Sequence, residues 1–163
     1  MSVTGVHKDV EALTMRVEAA FAAPLERVWR LWSDPRQLER WWGPPTYPAT
    51  VTEHDLEVGG TVRYYMTGPE GDRHYGWWKI TSVEPPRRLA FDDGFADAEG
   101  NELEELPSMT VAVSLEEAAD GGSTMAITSR FPSREAMEQL LQMGMEEGLV
   151  AALGQIDQLL VES

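Results

Sequence analysis

From Leu13 to Phe21 apolar and polar positions alternate one for one. Leu13, Met15, Val17, Ala19 and Phe21 share one side, and Thr14, Arg16, Glu18 and Ala20 the other. Period two predicts a half-buried strand. Pro24 then opens a helical stretch, PLERVWRLWSD, with Val28, Leu31 and Trp32 inward and Trp29 partly aside. Asp34-Pro35 breaks it and starts a second short helix through Leu38 and Trp41, followed by the rigid turn Trp41-Trp42-Gly43-Pro44-Pro45. Six more alternating segments predict strands over 49–56, 61–67, 74–83, 88–95, 109–116 and 124–131. Turn signals separate several of them: Val58-Gly59-Gly60, Gly68-Pro69-Glu70-Gly71, Glu84-Pro85-Pro86 and Asp120-Gly121-Gly122.

The period changes once more near the end. Met137, Leu140, Leu141, Met145, Leu149, Ala152, Ile156, Leu159 and Leu160 recur at gaps of three and four, with Glu138, Gln142, Glu146, Glu147, Gln155 and Gln158 opposite. That spacing predicts one long amphipathic helix from Ser133 to Leu160, with Ser133 as N-cap and Glu135 in its first turn. Gly144 and Gly148 sit one turn apart beside its apolar stripe, for close packing on a sheet, a bend, or room for a ligand. The fold class is therefore α+β. A curved antiparallel sheet of about seven strands wraps around a long C-terminal helix, with two short helices after the first strand. Residues 1–11 show no periodicity and read as a disordered lead-in to a single domain over 12–163.

Alternation predicts which residues face the helix. They are Val62, Tyr64 and Met66; Gly76, Trp78 and Ile80; Leu89 and Phe91; Met109, Val111, Val113 and Leu115; and Met125, Ile127, Ser129 and Phe131. Met137, Leu141, Met145 and Leu149 face them from the helix. Adaptable methionines opposite aromatic rings suit a pocket for varied apolar shapes. The predicted ligand-contacting set is Trp42, Tyr64, Met66, Trp78, Phe91, Met109, Val111, Met125, Ile127, Leu141, Met145 and Leu149.

Polar groups on that face carry the candidate chemistry. Glu53, Asp93 and Ser129 fall on the inward register, with His74 and Tyr64 placed to join them. A carboxyl in an apolar pocket has a raised pKa and serves as an acid or base. Glu53, His74 and Tyr64 are the catalytic candidates, whereas Asp93, followed by Gly94, reads as an outward-turned rim residue. His54 reads as a surface strand residue. Trp41 and Trp42 either gate the pocket mouth or anchor the short helices. Trp77 and Trp78, being adjacent, point to opposite faces, so one of them is expected to lie exposed as a partner or dimer surface.

Composition narrows the field. The 163 residues are 42% hydrophobic and 25% charged, as in ordinary globular proteins, but the net charge is −15. With no basic run, that charge argues against nucleic acid and anionic membranes and favours solubility. There is no cysteine, so disulfides, thiolate nucleophiles and Cys-based metal sites are excluded. The three histidines, His7, His54 and His74, lack metal-ligand spacing, and no nucleotide or G-x-S-x-G fingerprint occurs. Neither a metal nor a cofactor is expected. No apolar run has the length of a membrane span and the first eleven residues are polar, so a cytoplasmic location is expected.

Several motifs in order resemble one family. They are Phe21-Ala22-Ala23-Pro24 closing the first strand, Val28-Trp29, and Asp34-Pro35 through Trp41-Trp42-Gly43-Pro44. Next come Asp55-Leu56-Glu57-Val58-Gly59-Gly60, Val83-Glu84-Pro85-Pro86-Arg87-Arg88-Leu89 and Gly144-Met145-Glu146-Glu147-Gly148-Leu149. Over residues 12–160 the chain resembles the START-like (SRPBCC, helix-grip) superfamily, in the branch named for the C-terminal domain of the activator of the heat-shock-chaperone ATPase. Bacteria use that domain widely on its own. The resemblance implies an internal cavity between sheet and helix, but no single activity, since relatives include lipid carriers, polyketide cyclases, hormone receptors and chaperone regulators. Leu149 stands where the family pattern carries an aromatic residue, which enlarges the expected cavity.

The leading expectation is binding of a hydrophobic or amphipathic small molecule, because no recognised catalytic set accompanies the apolar face. A cyclase- or dehydratase-like enzyme using Glu53 or His74, and a chaperone-regulating interaction domain, are the alternatives. A homodimer is the expected oligomer if a Trp and an edge strand are exposed.

Overall fold

The computed structural model describes residues 3–162, so the Met1 and Ser2 part of the predicted lead-in lies outside the described residues. The chain runs β1 (Val3–Asp9), β2 (Thr14–Phe21), α1 (Leu25–Ser33) and α2 (Pro35–Leu38). Then come β3 (Ala49–His54), β4 (Thr61–Thr67), β5 (Arg73–Glu84), β6 (Arg88–Ala96), β7 (Met109–Glu117) and β8 (Ser123–Arg130). Three helices close it: α3 (Arg134–Gln142), α4 (Met145–Leu153) and α5 (Ile156–Glu162). One antiparallel sheet takes the strands in the order β1-β2-β8-β7-β6-β5-β4-β3, with the C-terminal helices over its concave face. This is the helix-grip class, with eight strands rather than seven.

The additional strand is β1, inside the segment read as a disordered lead-in. Its sequence VTGVHKD does not alternate, so its order comes from β2, whose free edge it completes with a register shift at Val3/Gly5. Asp9 then accepts hydrogen bonds from the Glu11 and Ala12 N–H groups, closing the turn into β2.

The predicted single C-terminal helix is broken twice. Gly144 has φ of +89°, in the left-handed region that favours glycine, and ends α3 by turning the chain into α4. A second break at Gly154-Gln155 lets Gln155 Nε2 donate to the carbonyls of Gly43 (2.7 Å) and Trp41 (3.3 Å), tying the C-terminus to the aromatic turn. The apolar phase survives both breaks, with Met137, Leu140, Ala152, Ile156 and Leu159 all buried. Periodicity alone does not register a one-residue kink after which the phase resumes. Ser133 does cap α3, accepting from the Ala136 N–H at 3.0 Å.

A tryptophan-rich block fills the end of the core beneath α1 and α2. Trp32, Trp41 and Trp78 are fully buried, Trp32 and Trp41 meet edge to face at 4.8 Å, and Trp78 stacks on Phe91 at 4.0 Å. The Trp41 indole donates to the Leu31 carbonyl at 2.9 Å, so Trp41 anchors the short helices and does not gate anything. No helix among the described residues is long and apolar enough to cross a membrane.

Candidate ligand cavity

Between the sheet and the α3–α4 joint the core opens into a cavity of about 450 Å³. Its floor comes from Tyr64 and Met66 on β4, Asp93 and Phe95 on β6, Met109 and Val111 on β7, and Ile127 and Ser129 on β8. Leu140, Met143, Met145 and Leu149 form its roof, and Trp42, Pro44, Tyr47 and His74 its mouth. Of the residues predicted to contact a ligand, Trp42, Tyr64, Met66, Met109, Val111, Ile127, Met145 and Leu149 border this space. Trp78, Phe91, Met125 and Leu141 do not. Trp78 and Phe91 lie stacked in the tryptophan block, and Met125 sits there too, its sulfur accepting from the Trp32 indole at 3.3 Å. Leu141 packs half-buried against the core's flank.

Gly144 and Gly148 stand on the helical side of this space. A Cβ built on either meets nothing within 4 Å, and both glycines border the cavity. Close packing on the sheet is therefore not their role. Gly144 makes the bend, and Gly148 leaves volume that a side chain would occupy.

Two other glycines decide where the polar groups stand. Gly76 lies opposite Tyr64 in the sheet, and a Cβ there would come within 2.5 Å of the Tyr64 hydroxyl. The phenol thus lies across bare β5 backbone and reaches Asp93 on the next strand, its O–H 3.4 Å from Asp93 Oδ1. Asp93 is 9% exposed and faces the cavity, not the rim that its neighbour Gly94 suggested. Gly94 instead serves the outer face. The Trp77 indole lies against it, donates to the Phe95 carbonyl at 2.9 Å and is covered by the Lys79 ammonium, 5.1 Å from the ring. Trp77 is consequently buried at 7% exposure, and the exposed tryptophan expected of this pair is absent.

Burial pushes the Asp93 carboxyl up from 3.8 to about 7, and the Tyr64 hydrogen bond partly opposes the rise. Burial, followed by the neighbouring Asp93 charge, raises Tyr64 well above 10. The indole N–H groups of Trp42 and Trp78 are buried and complete no hydrogen bond of good geometry, yet they lie close enough to the Tyr64 oxygen to favour its charged form.

The other catalytic candidates do not join this group. Glu53 is exposed on the outer face, 3.5 Å from Arg63. The cause is a bulge between Val51 and Glu53 that puts Glu53 opposite Arg63 and inverts the alternation beyond it. The Val51 N–H and C=O are held by Glu39 (2.9 Å) and Arg36 (2.8 Å), which fixes the kink. The same inversion turns His54 inward, where its ring nitrogen bonds the Trp32 carbonyl at 3.0 Å, so it is not the surface residue expected. His74 keeps the inward register but stands exposed at the mouth, 2.6 Å from Asp72 and beside Tyr47. The acidic segment 97–105, between β6 and β7, is held outside the sheet by Arg63 on the Gly100 carbonyl (2.6 Å) and Lys79 on Glu102 (2.7 Å). Only Pro107, beyond it, returns to the cavity wall.

Comparison with known proteins matches this architecture to a family model, Activator of Hsp90 ATPase homolog 1-like protein, over residues 22–161. The chain belongs to that family. This is the branch of the START-like superfamily that the sequence motifs resemble. The solution structure of a protein from Arthrobacter aurescens is 50% identical with a TM-score of 0.94, the match covering 99% of this chain and 94% of that one. The crystal structure of a protein from Mycobacterium smegmatis is 46% identical with a TM-score of 0.89, covering 96% of each chain. A family member from Silicibacter pomeroyi is 25% identical with a TM-score of 0.72, covering 92% of this chain and 99% of its own. No protein of curated function matches the chain.

Proposed function

We propose that the protein binds a small, largely apolar molecule in the cavity between the sheet and α3–α4. The observation that carries this reading is an open volume of about 450 Å³, bordered by Gly148 where a Cβ would meet nothing within 4 Å, in a family whose fold commonly holds hydrophobic ligands. That volume lies within the range of roughly 300–1,000 Å³ usual for small-molecule sites. Methionine and aromatic side chains make up much of the wall, and only a few polar groups interrupt it, the balance that gives affinity through burial and orientation through polar contacts.

The test is titration with the neutral fluorophore N-phenylnaphthylamine, on the wild type and on Gly148→Phe. A rise in fluorescence with wild type, weakened about tenfold or more by the filled cavity, is the expected result. An equal rise with both proteins, or none with either, would remove the reading.

Asp93 also supports a second reading, proton transfer to or from a bound carbonyl compound, since a carboxyl that ionises near neutrality suits general acid–base work. Under this reading Asp93, with Tyr64 beside it, replaces Glu53 and His74. Turnover of a carbonyl substrate that disappears in Asp93→Asn while binding persists would distinguish catalysis from carriage.

A further inference from the structure

The polar groups of the cavity are arranged with a direction. The Tyr64 ring is held between Trp42 and Trp78, with ring centroids 6.1 and 6.2 Å away, and its hydroxyl donates to Asp93 Oδ1 at 3.4 Å. Asp93 stands at the accepting end of this contact. Its second oxygen takes no hydrogen bond among the described residues and opens onto the cavity.

No lysine or arginine borders the cavity among the described residues. The other titratable groups on its wall are Tyr47 and His74, and His74 is engaged with Asp72 at the mouth. A buried carboxyl with open accepting capacity and no countercharge from its own chain is completed by whatever enters.

We propose that the cavity selects amphipathic amines, a protonated amino group docking on the Asp93 carboxylate while an apolar body fills the space bounded by Met66, Met109, Met145 and Leu149. The inference rests on the cavity being a small-molecule site and adds the chemistry of the ligand's head. An ammonium–carboxylate hydrogen bond is among the stronger contacts available to such a ligand, and the apolar wall weakens competition from water. Over the whole molecule, a net charge of −15 concentrates cations near the mouth and repels anions.

Calorimetry with naphthylmethylamine, naphthylmethanol and naphthoic acid tests this with one apolar body and three heads. At about pH 8 the amine is expected to bind about tenfold or more tightly than the alcohol, and the acid weakest. Asp93→Asn is expected to reduce the amine to the alcohol's level. An amine no tighter than the alcohol, or an advantage that persists in Asp93→Asn, overturns the proposal while leaving the cavity reading intact. If none of the three binds, the cavity reading falls and the proposal with it. A measurement on wild type alone guards against a variant that does not fold. Docking an ammonium ionises Asp93, so at about pH 6 the amine is expected to release close to one proton and the alcohol none, read from heats in two buffers of different ionisation enthalpy. Equal release with both ligands, or none with the amine, refutes the assignment.

Discussion

Asp93 binds its proton more tightly in the folded chain than in the unfolded one, its pKa standing at about 7 against an ordinary 3.8. A group of this kind stabilises most at low pH, and its contribution declines as pH rises through the interval between the two values. Asp93→Asn removes the decline without changing the shape of the side chain. The variant is therefore expected to gain on wild type as pH is raised, by up to roughly 4 kcal/mol at pH 8, with little difference near pH 4. Urea unfolding of both proteins at the two pH values measures this. A constant difference would mean that the carboxyl is well solvated. The inward register read from alternation held where the strand stayed regular and failed where it did not. Tyr64 and Ser129 stayed inward, while the bulge after Val51 carried Glu53 out and His54 in. Asp93 was misplaced because the glycine beside it resembles a strand end, although its missing side chain makes room for Trp77 on the opposite face.

The C-terminal segment shows how far an element can be read from its own sequence. Amphipathic spacing located its buried stripe, but treated Gly144 and Gly148 alike, and they differ. Gly144, with φ of +89°, is expected to lose roughly 1–2 kcal/mol on substitution by alanine, because a Cβ strains the left-handed conformation. Gly148 lies inside α4 with open space around it, so Gly148→Ala is expected to gain about 1 kcal/mol of stability. Thermal unfolding of the two variants decides, and the same sign for both would contradict the kink. At the other end of the chain, β1 carries no alternation to recognise. Its position depends on a free edge of β2, and its exposed ion pairs, Lys8 with Glu146 at 2.6 Å and His7 with Glu18 at 2.9 Å, add little at the surface.

For the molecule as a whole, the net charge of −15 is spread over a surface with few compensating cations. Self-repulsion of this kind destabilises the compact state, and salt screens it, the Debye length falling from roughly 30 Å at 0.01 M to roughly 3 Å at 1 M. The melting temperature is expected to rise with sodium chloride over that range, and an unchanged midpoint would show that the charges are already locally balanced. The sequence by itself determined the fold class, the β2 to β8 strands, the inward-facing set on regular strands and the family. These follow from burial patterns repeated over many residues, in which one irregular position changes little. Tertiary structure alone decided the extra edge strand, the breaks in the C-terminal helix and the membership of the polar cluster. Each rests on a single backbone event: an edge left open, a left-handed glycine, a bulge, or a glycine that lets an aromatic ring cross a neighbouring strand. Such events leave no periodic trace, because their effect is felt by residues distant in sequence and adjacent only in the fold.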